Sequence, residues 1–201
     1  MLALADLDQL YKPAHPLVKD KSLPRIDKHG AAFIALSPFC MIASAGPDGS
    51  MDVSPRGGEP GFAHVAEDGA ALLLPDRPGN NRLDTLRNLL GGSGQCGLIF
   101  MIPGFDDVYR VNGQASASAE PALLETFVEF GKTPRLVLRI AVQEAFFHCP
   151  KAIMRAKLWE PEARVDRSLL PSGAEMVMDQ LNMGKPQVSN EQIIEGYKTQ
   201  L

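Results

Sequence analysis

Pro75 to Leu90 reads PDRPGNNRLDTLRNLL and follows the apolar run Ala70-Ala71-Leu72-Leu73-Leu74. That order predicts a buried strand running into a loop with Arg77, Gly79, Asn80, Asn81 and Arg82. A helix over Asn80 to Leu90 then follows, with Leu83, Leu86, Leu89 and Leu90 on one side. Two guanidiniums, two amides and the N–H groups of a helix start would share one small volume. Such a volume suits a phosphate, because the helix dipole, the N–H groups and the planar Arg forks all favour an oxyanion. The plain alternative is an ordinary strand–loop–helix with Asn caps and two solvated arginines, since Asn and Gly are the expected residues of a helix entry.

A chain of 201 residues fits one domain with appendages and can bury a sizeable core. Its 45% hydrophobic and 22% charged residues are ordinary for a globular protein. A net charge of -4 argues against a general nucleic-acid surface, which needs a basic face. Basic residues gathered at one place therefore point to a small anionic ligand rather than a polymer. Cys40, Cys96 and Cys149 are odd in number, far apart and without CxxC spacing, which excludes a disulfide framework and a zinc ribbon. Buried, reduced thiols and a cytoplasmic location are expected. MLALADLDQLYKP at the start carries Asp6 and Asp8 and lacks the basic region of a signal peptide. Gly30 to Pro47 is uncharged, but Pro38, Ser37 and Ser44 interrupt it, so a helix followed by a buried strand is expected there rather than a membrane span.

The remaining pattern is mainly β with peripheral helices, an α+β class. Ala31 to Leu36 has helical spacing, Pro38 ends it, and Phe39 to Ala45 reads as a strand. Gly46-Pro47-Asp48-Gly49 is a turn, so Met51 to Ser54 is expected to return as a hairpin strand. Further strands are predicted near Gly69–Leu74, Gly97–Ile102, Val108–Ala117 and Arg135–Phe147, with a helix at Ala122–Phe130. Hairpins dominate, which favours an antiparallel barrel or sandwich over a doubly wound sheet. Gly92-Ser93-Gly94-Gln95-Cys96-Gly97 matches GxGxxG, but a helix precedes it and a strand follows, the reverse of what a dinucleotide needs.

These segments in this order, with SPRGG, LLLPDRPGNNRLDTLRNLL, GLIFMIPG, DVYRVNGQA and FFHCPKAIMRAKLW, resemble the pyridoxamine 5′-phosphate oxidase-like family of FMN-binding split barrels. More narrowly they resemble a bacterial branch described only as pyridoxamine 5′-phosphate oxidase-related. The resemblance spans about Ala31 to Trp159, which divides the chain into an N-terminal segment 1–30, a split-barrel flavin domain 31–159 and a helical extension 160–201. It implies a homodimer of six-stranded split β-barrels with two FMN molecules at the interface and a small-molecule substrate. By the same resemblance, Arg56 matches a strand-two position near the flavin, and Arg77, Asn80, Asn81 and Arg82 match the phosphate loop. Asn88 matches a structural position at the helix end. Ser54 and Pro55 join Arg56 as candidates near the ring.

FMN brings a phosphate with nearly two negative charges, and hydrogen bonds to charged groups contribute about 1.5–3 kcal/mol each. Arg82, at the expected helix start, should matter more than Arg77, which the loop leaves free to swing into solvent. Lys151 and Arg155 lie four apart on a predicted helix and would share a face. In related barrels such a late basic segment approaches the partner subunit's flavin. His148 and Cys149 are too few for a metal site, and His15, His29 and His64 show no partnering spacing, so no metal is expected. Pyridoxamine 5′-phosphate oxidases proper carry a C-terminal substrate segment rich in Arg and His. The stretch after Trp159 lacks one, which speaks against vitamin B6 oxidation. It reads instead as amphipathic helices at Ala174–Leu181 and Asn190–Tyr197, with Met176, Met178, Leu181, Ile193 and Ile194 as packing residues that cover the barrel or extend the dimer contact. The readings left open are an FMN-dependent oxidoreductase, a flavin-binding sensor without turnover, and a barrel holding a deazaflavin or haem.

Overall fold

The computed structural model describes residues 2–200. Seven strands form one sheet: β1 Phe39–Ala45, β2 Met51–Gly57, β3 His64–Val65, β4 Ala71–Asp76, β5 Gln95–Met101, β6 Val108–Ser118 and β7 Leu136–His148. Their order is β2-β1-β5-β6-β7-β4-β3, and every neighbouring pair is antiparallel. The helices are α1 Leu7–Leu10, α2 Pro16–Asp20, α3 Lys28–Leu36, α4 Asp84–Gly91, α5 Pro121–Glu125, α6 Lys151–Ala156, α7 Gly173–Gln180 and α8 Asn190–Lys198. This is the antiparallel α+β architecture expected from the hairpin-rich pattern, and the split-barrel class that the family resemblance implies. The strand beyond the expected six is β3, two residues paired to the edge of β4.

Period-two alternation drives the sheet. Cys40, Ile42 and Ser44 on β1, Leu98 and Phe100 on β5, and Leu72 and Leu74 on β4 are buried, each two residues from the next. Tyr109 on β6 is 1% exposed and forms an aromatic group with Phe147, centroids 4.9 Å apart, and with Phe33 of α3 at 6.4 Å. Gly30 is the helical position facing that ring, and a Cβ there would come within 2.2 Å of Tyr109. α3 starts three residues before Ala31 because Asp27 caps it, accepting from the Gly30 N–H at 2.8 Å. Ile26, ahead of that cap, is already part of the core.

The β1–β2 turn closes as the Gly-Pro-Asp-Gly stretch predicts. Gly46 donates to the Ser50 carbonyl at 2.7 Å, and Gly49 takes a left-handed φ of 84°. β2, however, continues past Ser54 to Gly57, carrying Arg56 on the strand rather than in a turn. The GxGxxG stretch is the connection from α4 to β5, with no strand before it and no helix after it. The helix expected over Ala122–Phe130 is only α5. Thr126 hydroxyl bonds back to the Leu123 carbonyl at 2.7 Å, and Phe130 turns left-handed at φ 50°, which ends the helical run.

One further expectation is corrected. Cys149 is exposed, while Cys40 and Cys96 are buried. No residue of α7 or α8 is buried; Ile194 is 44% exposed and Leu181, just past α7, 61%, so the extension lies on the surface and adds nothing to the core. No helix among the described residues is long and apolar enough to cross a membrane.

Candidate functional site

β2 and β4 stand near opposite ends of the strand order, yet the curl of the sheet brings them together. The Arg56 guanidinium on β2 donates to Asp76 Oδ1 on β4 at 2.6 Å. The alternation explains both directions. Arg56 faces buried Cys40 across the β1–β2 pair, and Asp76 follows Leu72 and Leu74 on the core side of β4. Each therefore projects from the core face where its strand leaves the barrel. The ion pair spans the split of the barrel.

A cleft of about 500 Å³ opens there, within the usual range of small-molecule sites. Ser54, Pro55, Arg56, Arg77, Asn80, Asn81 and Arg82 all line it, so the structure gathers every loop and strand-two residue singled out in the sequence. Arg135 and Tyr197 also line it and were missed, because neither sits in a motif and both arrive from distant parts of the chain.

The loop differs from expectation at the helix start. α4 begins at Asp84, not Asn80, with Leu83 as its cap residue and no side-chain cap bond. Asn81 holds a left-handed φ of 58°, which an α-helix cannot accommodate and which Asn tolerates better than most residues. Asn80 Oδ1 accepts the Arg82 N–H at 3.0 Å, a local side-chain-to-backbone turn that holds the loop. The buried stripe of α4 is Thr85, Leu86, Asn88 and Leu89, while Leu83 and Leu90 are exposed. Two polar contacts dock that stripe: Thr85 hydroxyl donates to Asp52 on β2, and the Asn88 amide donates to Ser44 Oγ on β1 at 3.2 Å. Asn88 is thus a structural residue.

The arginines differ sharply. Arg77 is pinned by Glu129 at 2.7 Å and also donates to the Lys132 carbonyl at 3.4 Å, so it does not swing into solvent as its loop position suggested. Glu129 in turn accepts the Glu59 N–H, which fixes the carboxylate. Arg82 is 79% exposed and pairs with Asp84. The Nε donors of Arg56 and Arg77 are both buried without a hydrogen-bond partner. A buried unpaired N–H of a charged group is costly, and the ion pairs that the same guanidiniums make with Asp76 and Glu129 offset that cost. Burial pushes the Cys40 thiol up to about 12, with nearby Arg56 pulling the other way, so this cysteine is a neutral core residue.

The sequence model of pyridoxamine 5′-phosphate oxidase matches residues 26–149. The chain belongs to that family. HupZ of Group A Streptococcus is 18% identical, aligned over 61% of this chain and 93% of its own, with a TM-score of 0.47. General stress protein 26 of Bacillus anthracis is 9% identical over 58% of this chain and 88% of its own, TM-score 0.44. A conserved hypothetical protein of Mycobacterium tuberculosis is 16% identical over 73% and 97%, TM-score 0.44. No curated protein matches the sequence.

The family match covers the barrel, β2, the loop and the Arg77–Glu129 pair, and stops at Cys149. Lys151 and Arg155 lie just beyond it on α6, exposed and outside the cleft. α6 follows the His148 end of β7, whereas the cleft lies by the Leu136 end, a strand length of about 40 Å away. Within one chain, these two residues do not join the arginines.

Proposed function

We propose that the cleft binds FMN and that the protein is an FMN-dependent oxidoreductase passing electrons between NAD(P)H or a small organic substrate and an acceptor. The observation that carries this reading is the convergence of Arg56, Arg77, Arg82, Asn80 and Asn81 on one cleft. Family membership supports it as well.

In this reading Arg77 and Arg82 hold the phosphate. Arg77 comes pre-oriented by Glu129, so little ordering entropy is lost on binding, while Arg82 exchanges Asp84 for the ligand. Arg56 presents its guanidinium on the same strand face as Ser54, on the ring side. The flavin supplies the hydride and electron chemistry, and the chain positions it and excludes water. Vitamin B6 oxidation is not part of the proposal.

The second element of the proposal is a cytoplasmic homodimer. The outer faces of β1, β2 and β5 carry Met41, Ala43, Val53, Pro55, Ile99 and Met101 in adjacent register positions. Met41 is 38%, Met51 70% and Val53 61% exposed. A contiguous apolar sheet face of this kind suits a second copy packed about a two-fold axis. Lys151 and Arg155 would then serve the partner's flavin.

The visible spectrum of the purified protein tests the cofactor, and release of FMN rather than FAD on denaturation identifies it. Anaerobic mixing with NADH and NADPH separates enzyme from sensor, since a sensor binds tightly without being reduced. A deazaflavin or haem would declare itself by its absorption bands. A colourless protein that takes up no FMN overturns the reading, and a monomer at full flavin content overturns the dimer.

A further inference from the structure

We propose that α8 is a built-in cover of the cleft and that Tyr197 is a specificity-determining contact for ligands joining a flat aromatic ring to an anionic group. The inference rests on the flavin reading for its ligand class, and on the fold alone for the cover. Tyr197 lines the same cavity as Arg56, Arg77 and Arg82, although it comes from the far end of the chain and from outside the family match. Lys132 Nζ donates to the Thr199 carbonyl at 3.3 Å, which ties the end of α8 down beside the cleft. The carbonyl of the same Lys132 accepts from Arg77 at 3.4 Å. One residue therefore connects the tail to the pinned arginine.

The attachment is light. α8 buries none of its residues, and Tyr197 itself is 64% exposed. Segments with few buried contacts open at low free energy, so α8 can lift to admit a ligand and settle again. Its N-terminus closes on itself through the Ser189–Gln192 capping box, so the start of the helix does not depend on the barrel. The chemistry of the two sides is complementary. Arginine forks take the anion, and a tyrosine face stacks on a planar ring at little entropic cost.

The test uses the full chain and four proteins: wild type, Tyr197→Ala, Tyr197→Phe and Lys132→Ala, the last keeping the carbonyl that Arg77 uses. FMN and riboflavin are titrated, and their release rates measured by stopped flow. Tyr197→Ala is expected to weaken both flavins by the same factor, about three- to tenfold, with Tyr197→Phe within about twofold of wild type. Lys132→Ala is expected to speed the release of both. Flavin binding by wild type with affinities and rates unchanged in Tyr197→Ala and Lys132→Ala overturns the proposal. If wild type takes up neither flavin, the cofactor reading fails and hydrogen exchange of the ligand-free chains decides the cover. Faster exchange in both 190–198 and 77–83 of Lys132→Ala upholds it, and unchanged exchange there overturns it.

Discussion

The barrel and the C-terminal extension follow different physical rules. Between Ile26 and Ala145 the chain buries one apolar side chain after another, and the buried Ser37 hydroxyl finds the Phe39 and Met101 carbonyls. From α7 to α8 no residue is buried, and order comes from local capping boxes at Ser172 and Ser189. The cleft lies where the two meet. Its arginines are held by the barrel, and Tyr197 reaches it from the extension. Ion-paired arginines beside a loosely held aromatic are the consequence.

The contrast is broken most directly by truncation of a core ring. Phe100→Ala should cost about 3–5 kcal/mol in denaturant unfolding, through lost burial and the cavity left behind. A smaller loss would mean that the barrel repacks.

Arg82→Ala should weaken FMN by roughly one to two decades, while leaving riboflavin affinity and the melting temperature close to wild type. Equal losses for the two flavins would make Arg82 a fold residue. Arg77→Ala should act on both properties, since it strands Glu129 beside the Glu59 N–H. A stability loss of about 1–3 kcal/mol is expected together with reduced FMN affinity, read by melts and titration. The difference between these two variants measures how far the barrel pre-orients the anion site.

His64 gives a pH signature. It stacks on Phe127 with ring centroids 4.1 Å apart, and burial lowers its pKa from the ordinary value. The folded state therefore binds the proton less readily than the unfolded state. Its stabilising contribution is present above the ordinary histidine range and is lost as pH falls through it. Melts across this range should show the decline in wild type and less of it in His64→Leu. At the bottom of the scale, Val177→Ala in α7 should change stability by no more than about 0.5 kcal/mol. In the same native protein a maleimide should label Cys149 and leave buried Cys40 and Cys96 unmodified, counted by mass spectrometry.

Much of this was legible in the chain. The strands β1, β4, β5, β6 and β7 lie close to where alternation places them, and the loop from Arg77 to Arg82 lines the cleft as its composition suggests. Those features are local. Hydrophobic period and turn chemistry act over a few residues, and neighbours in sequence carry the information. The late start of α4 was also a local matter, but Asn80 and Asn81 suit a helix entry and a left-handed loop about equally, so their identity could not choose between them.

What only the tertiary structure decided are the pairings across the fold. Arg56 finds Asp76 because the sheet curls until β2 meets β4, and Arg77 finds Glu129 because the turn after α5 returns to the cleft. Arg135 and Tyr197 enter the site by the same kind of long-range closure, and Lys151 and Arg155 stay out of it because β7 carries them to the other end of the barrel. Charged side chains have no periodicity that names a partner. Which carboxylate pins an arginine follows from the geometry of a closed sheet rather than from any window of sequence.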